Sequence, residues 1–196
     1  MKNRLLATCS ILMTATLLTA CQSTQGFKPT VAKPTPTSNQ ANTPIKFAAT
    51  GKIGIRTKTS EGTQGGSAFY AWSQEDNRFS IDLTGALGIG ATEIRYNGTQ
   101  ATLNSERTGL ISAASPEALL TTATGWHAPI SQLPYWIVGR SAPSDTAKTL
   151  DNAGRIAKAT NGLWAADFEY DKNNLPNRLT INHQDGHRVT MTINHQ

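Results

Sequence analysis

Beyond Cys21 this chain has no cysteine, and Cys9 and Cys21 are the only two among its 196 residues. A domain built from the remainder has no disulfide, thiolate metal site or cysteine nucleophile to draw on. Its stability must come from burying apolar surface. Catalytic constellations are equally scarce. His127, His183, His187 and His195 are the whole histidine supply, and none stands in His-Glu-x-x-His spacing. His183 and His187 lie four apart across the Asp185-Gly186 turn, on what should be opposed strands, with no third ligand nearby. They read as exposed turn residues, and no metal is expected. There is no Gly-x-Ser-x-Gly elbow, and Gly88-Ile89-Gly90 lacks the third glycine and the following helix of a nucleotide site. Nothing assembles into an active site, so no enzyme and no cofactor are expected. Basic residues are scattered along the chain without the stripe or aromatic interleaving that marks nucleic-acid binding.

What is present begins at the first residue. Lys2 and Arg4 form a basic head, an apolar stretch runs from Leu5 to Leu18, and Leu18-Thr19-Ala20-Cys21 sets small residues before a cysteine. The stretch is too short and too rich in Thr and Ser to span ~30 Å of hydrocarbon, and reads as a secretory signal, residues 1–20. A cysteine directly after the cut resembles the bacterial lipoprotein signal, in which the thiol is lipidated; Thr19 departs mildly from the usual Ala or Ser. Several acyl chains on Cys21, each buried CH₂ worth ~0.8 kcal/mol, would anchor the chain without crossing the bilayer. In such lipoproteins an Asp after the cysteine favours inner-membrane retention, so Gln22 points to the outer membrane. Removing Lys2 and Arg4 lowers the 18 basic side chains to 16 against 13 acidic ones, and the net charge from +5 to +3. Solvated surface is the expected role of that excess, with a mild attraction to anionic lipid headgroups as the alternative.

Residues 22–44 are Gln, Ser, Thr, Asn, Lys and Pro with almost nothing to bury. Such a segment cannot offset its ordering entropy, so residues 21–44 read as a lipidated start and a flexible tether. The domain is then 45–196, one core of ordinary size. Its apolar residues alternate. Ile53 and Ile55, Phe79, Ile81 and Leu83, Leu179 and Ile181, and Val189, Met191 and Ile193 each occupy every second position. Turn signals separate them at Glu75-Asp76-Asn77, Asn97-Gly98, Asn161-Gly162, Asp171 to Asn174 and Asp185-Gly186. That spacing predicts an antiparallel meander curled into a barrel or half-barrel. Two helices interrupt it. One starts at Ser115-Pro116-Glu117 and stops at Gly125; the other covers Ile130 to Val138 and stops at Gly139, with Leu133, Trp136 and Ile137 on one stripe.

The loop Thr84 to Thr92 is apolar where a loop should be polar, with Gly85, Gly88 and Gly90 around Leu87 and Ile89. Two readings stay open: a leucine folded back into the core, or a protruding tip that enters a bilayer or a partner.

At this point an ordered set of segments becomes informative. Gly51 to Ile55, Tyr70 to Gln74, Phe79 to Gly88, Ser115 to Leu120, Gly125-Trp126, Pro129-Ile130, Leu133 to Gly139 and Pro143 together resemble the outer-membrane lipoprotein receptor LolB family. The chain after Pro143 looks compact for that family. The resemblance implies a mainly β fold with helices: a half-open antiparallel barrel of roughly eleven strands with a helical lid over an apolar cavity. It implies a monomeric acceptor that takes lipoproteins from the periplasmic carrier LolA and delivers their acyl chains to outer-membrane lipids. It gives Leu87 a role in membrane delivery, within a loop of Gly85, Ala86, Leu87, Gly88 and Ile89. Phe69, Phe79, Ile81 and Leu83, with Trp136 and Ile137 above them, are the candidate acyl-chain cavity, although alternation alone does not settle which face turns inward. A structural or assembly lipoprotein docking a protein partner is the alternative; an anchored hydrolase lacks its catalytic groups.

Overall fold

The computed structural model describes residues 43–85, 91–125 and 127–196. Twelve strands form one sheet: β1 (Lys46–Thr59), β2 (Gly62–Glu75), β3 (Arg78–Thr84), β4 (Thr92–Tyr96), β5 (Ala101–Ser105), β6 (Gly109–Ala113), β7 (Ala147–Leu150), β8 (Ile156–Asn161), β9 (Trp164–Tyr170), β10 (Pro176–His183), β11 (Arg188–Thr192) and β12 (Asn194–His195). Two helices, α1 (Pro116–Thr124) and α2 (Leu133–Ile137), fall between β6 and β7. The spatial order is β6-β5-β4-β3-β2-β1-β11-β10-β9-β8-β7, with β12 added to β1. All the pairings are antiparallel. The meander expected from alternation is thus present as two runs joined through β1. Closure into a barrel is not: among the described residues β6 and β7 remain edges.

The hairpins follow the turn chemistry. Gly98 and Gly186 take φ of 98° and 90°, and Asp76 and Asn174 sit at φ 55° and 63°, in the left-handed region that Asn and Asp tolerate better than most residues. Helix α1 begins as its residues dictate. The Ser115 hydroxyl accepts a hydrogen bond from the Ala118 amide at 3.1 Å, and Gly125, at φ 71°, closes the other end. The second helix is shorter than expected. Pro134 has no N–H for the Ile130 carbonyl, so Leu133 takes that carbonyl in an i→i+3 bond. Residues Ile130–Gln132 become a 3₁₀ turn and only Leu133–Ile137 is α-helical. Gly139 (φ 70°) then stops it, with Gly139 N–H on the Trp136 carbonyl and Arg140 N–H on that of Tyr135, a Schellman closure.

One face of the sheet and the helices share the core. Trp136 and Ile137 are fully buried, and Trp136 Nε1 donates to Asp145, whose Oδ2 also accepts from the Ala142 amide. Across the early strands, Phe47, Trp72, Phe79 and Tyr96 form an aromatic ladder with ring centroids 5.9, 5.6 and 5.8 Å apart. Each such pair adds about 0.5–1.5 kcal/mol beyond its area. Trp72 also donates from Nε1 to the buried Gln74 side chain at 2.9 Å, so the ladder carries no stranded indole N–H.

The seam between the two runs depends on one missing side chain. Gly51 on β1 lies beneath Tyr70, whose hydroxyl donates to the Thr192 carbonyl at 2.9 Å. A Cβ on Gly51 would land on that same carbonyl oxygen, closer than any real contact allows, and 3.0 Å from the Tyr70 ring. Backbone cannot step aside as a flexible side chain can. Gly51→Ala is therefore expected to destabilise the domain by about 3 kcal/mol, at the upper end for overpacking; Gly54→Ala, whose Cβ meets nothing within 4 Å, serves as the control in the same denaturant titration.

Candidate functional site

The inward parity of each strand is now fixed. On β2, Ala68, Tyr70, Trp72 and Gln74 are buried while the residues between them are exposed. On β3, Phe79 and Ile81 are buried, with Ser80 between them half-buried. These faces, with those of β1, β4, β10 and β11, meet α1, the 3₁₀ turn and α2 around a cavity of about 210 Å³. Its wall is aliphatic and aromatic: Ile53, Ile55 and Trp72 from the sheet, Leu119 and Leu120 from α1, Leu133 and Trp136 from the second helix. The Glu117 carboxylate accepts from the Ser131 amide at 2.7 Å and ties the 3₁₀ turn to α1.

Of the residues proposed for this cavity, Phe79, Ile81, Leu83 and Trp136 line it. Phe69 does not. It lies on the outer parity of β2, paired with Lys52 and Thr84, and is 63% exposed. The sequence was ambiguous there because Phe69, Tyr70, Ala71 and Trp72 put apolar residues on both parities. Ile137 is fully buried, but in the packing behind Trp136 rather than in the wall. Leu103 of β5 also lines the wall and was not foreseen, and Leu119 and Leu120, on the apolar side of α1, reach it through helix docking, which strand period does not report. Gly85, at φ 112°, stands at the base of the apolar loop. Ala86, Leu87, Gly88 and Ile89 lie outside the described residues, as do Cys21 and Trp126.

Polar atoms in the wall are few, and most are spent. The Tyr70 hydroxyl is committed to the Thr192 carbonyl, and burial pushes its pKa well above the ordinary phenol value. The Thr124 hydroxyl donates back to the Leu120 carbonyl at 2.8 Å. Thr92 differs: it is 3% exposed, and its Oγ1 is the one buried side-chain polar atom without a hydrogen-bond partner among the described residues. The wall thus offers a guest hydrocarbon contact and almost no hydrogen bonding, which suits alkyl chains.

A model of the family described as outer membrane lipoprotein LolB matches residues 45–195. The chain belongs to the LolB family. Outer-membrane lipoprotein LolB of Stutzerimonas stutzeri (strain A1501) is 32% identical over 148 residues, covering 73% of this chain and 68% of that protein. Outer-membrane lipoprotein LolB of Pseudomonas putida (strain W619) is 36% identical over 140 residues, covering 69% and 66%. The match therefore spans about two thirds of each relative's length. LolB family members are non-catalytic transport and docking proteins.

The histidine pair does have a third potential ligand nearby, contrary to the reading of its spacing: Asp185, from the turn between them. His183, Asp185 and His187 bring one ligand atom each within 4.8 Å of one another. Yet His183 Nδ1 accepts from the Asp185 amide at 3.1 Å, and His187 Nδ1 from the Lys58 amide at 3.1 Å. In a neutral imidazole an accepting Nδ1 leaves the proton on Nε2, so both rings present N–H rather than a lone pair. His183 is also less exposed than a turn residue was expected to be, with its ring 4.7 Å from that of Trp164.

The unpartnered Thr92 hydroxyl gives a direct test of how dry the cavity wall is. An unsatisfied buried hydroxyl costs about 1–3 kcal/mol, so Thr92→Val should stabilise the protein by about that amount in denaturant titrations. A loss of stability would show that the hydroxyl has a water or backbone partner.

Proposed function

We propose that this LolB-family chain is an outer-membrane-anchored, periplasm-facing acceptor. It takes lipoproteins from the periplasmic carrier LolA and passes their acyl chains into the outer membrane. The observation that carries the reading is the cavity between sheet and helices, whose wall of Ile, Leu, Phe and Trp accepts hydrocarbon and offers little to anything polar. Acyl chains brought into such a wall leave water at about 25 cal/mol per Å² of apolar surface, with no covalent step. Transfer then needs only an order of affinities: tighter for cargo than the carrier's, weaker than the membrane's.

The open edges of the sheet suit this role. A half-open barrel with helices as its lid can widen, whereas a closed barrel has a fixed bore. Widening is required, because about 210 Å³ is below the ~300–1,000 Å³ of pockets that hold drug-sized ligands. The 3₁₀ turn and α1 share the Glu117–Ser131 bond, so they move off the sheet together. Cys21 carries the lipid anchor, residues 22–44 are the tether, and Leu87 enters the bilayer at the moment of delivery.

The deciding experiment is native mass spectrometry of the Cys21→Ala protein mixed with cargo-loaded LolA. A complex between this chain and the lipoprotein is expected; its absence, with the protein folded, would sink the acceptor reading. The same variant should remain in the soluble fraction and still receive cargo, which separates anchoring from acceptance. Leu87→Glu addresses delivery. Full burial of a leucine is worth about 1.5–3 kcal/mol, enough for a tenfold or larger loss of membrane engagement if the side chain is buried only there. The variant should melt like the parent, accept cargo and fail to release it into liposomes. A collapsed melting temperature would place Leu87 in the core instead.

A further inference from the structure

Basic residues that look scattered along the chain are not scattered on the folded sheet. Lys52, Arg56 and Lys58 alternate along the outer side of β1, and Arg188 on β11 is the direct cross-strand partner of Arg56. All four are exposed. Among the described residues none of them is in ion-pair contact with a carboxylate; the Arg188 guanidinium reaches only the Asn182 side-chain oxygen, at 2.8 Å. Other bases on the same sheet are treated differently. Lys46 and Arg78 pair with Glu75, Arg95 with Glu93, Lys158 with Asp167 and Arg178 with Glu169. Like charges directly opposite one another on a sheet are unfavourable, so Arg56 against Arg188 is a cost that folding alone does not repay.

Phe69 identifies the kind of surface that repays it. It is the cross-strand neighbour of Lys52 on this same outer face, and it is largely exposed. Its ring also lies against Gly85, where a Cβ would sit 4.0 Å from Phe69 Cδ2. The basic row therefore starts at the base of the apolar loop and runs along β1 for about 20 Å, at ~3.3 Å per residue over six residues. An exposed aromatic ring at the head of a row of long cationic side chains has the composition of a membrane-interface surface. The ring enters the acyl boundary and the cations meet lipid phosphates.

We infer that the outer face of β1 and β11, through Lys52, Arg56, Lys58 and Arg188 with Phe69 at its head, docks onto anionic phospholipid headgroups. Docking sets this face of the sheet against the membrane, with Gly85 beside it. This surface is separate from the cavity and does not require that the cavity hold acyl chains.

The test uses the full chain as the Cys21→Ala protein, so that no lipid anchor contributes. Its partition is measured by sedimentation with vesicles of phosphatidylethanolamine and phosphatidylglycerol, and with vesicles of phosphatidylcholine. Binding should favour the anionic vesicles and fall with added salt. Replacing Lys52, Arg56, Lys58 and Arg188 together by Gln should lower anionic binding by more than about tenfold, each cation near such a surface counting for about fivefold. Arg178→Gln, whose charge is already paired with Glu169, should change little. The quadruple variant should melt at or above the parent's temperature, since it removes a like-charge pair. Should it not fold, Lys52→Gln with Arg56→Gln repeats the measurement. Equal binding to both vesicle types, or binding untouched by the Gln set, overturns the proposal. So does a variant that keeps its vesicle binding but loses its complex with LolA, which would assign the face to an acidic protein. Failure of cargo acceptance with vesicle binding intact would count against the acceptor reading alone.

Discussion

The close approach of β1 to the C-terminal strands holds the molecule together. β1 pairs with β2 on one side and with β11 and β12 on the other, so the early and late meanders meet along a single strand. Gly51 permits that contact, and Tyr70 fastens it by bonding across to the Thr192 carbonyl. Everything the site requires follows from this seam. The cavity takes Ile53 and Ile55 from β1, Trp72 from the first meander and Val189 and Met191 from the second. Weaken the seam and its two walls part.

Much of this was legible in residue order because period-two alternation is a local signal. Phe79-Ser80-Ile81-Asp82-Leu83 and the run from Val189 to Met191 became strands with their apolar residues inward, and the helix at Ser115-Pro116 starts and stops where its caps say. The signal failed where both parities are apolar, as at Phe69 to Trp72, because only pairing decides which side is buried. It also failed where proline acts through a hydrogen bond it cannot make, so that one expected helix became a 3₁₀ turn and a single α turn and a half. The basic face was invisible for another reason: Arg56 and Arg188 are neighbours only after β1 and β11 have paired.

The sheet and the helices contribute to the core in different ways. The sheet side is rigid, with the aromatic ladder from Phe47 to Tyr96 locking four strands. The helical side adds the buried side chains of Leu119, Trp136 and Ile137, and the Glu117–Ser131 bond ties α1 to the 3₁₀ turn.

The direction of β1 has a consequence for the segment before it. Lys46 opens the strand, whereas Lys52, level with Thr84 through Phe69, marks the base of the apolar loop. Six residues of strand therefore separate the point where the leading segment joins the sheet from the level of the loop, about 20 Å at ~3.3 Å per residue. Arg56 and Lys58 lie beyond that level, further along the strand from its start, so the basic row and the entry of the chain into the sheet fall on opposite sides of the level of Gly85.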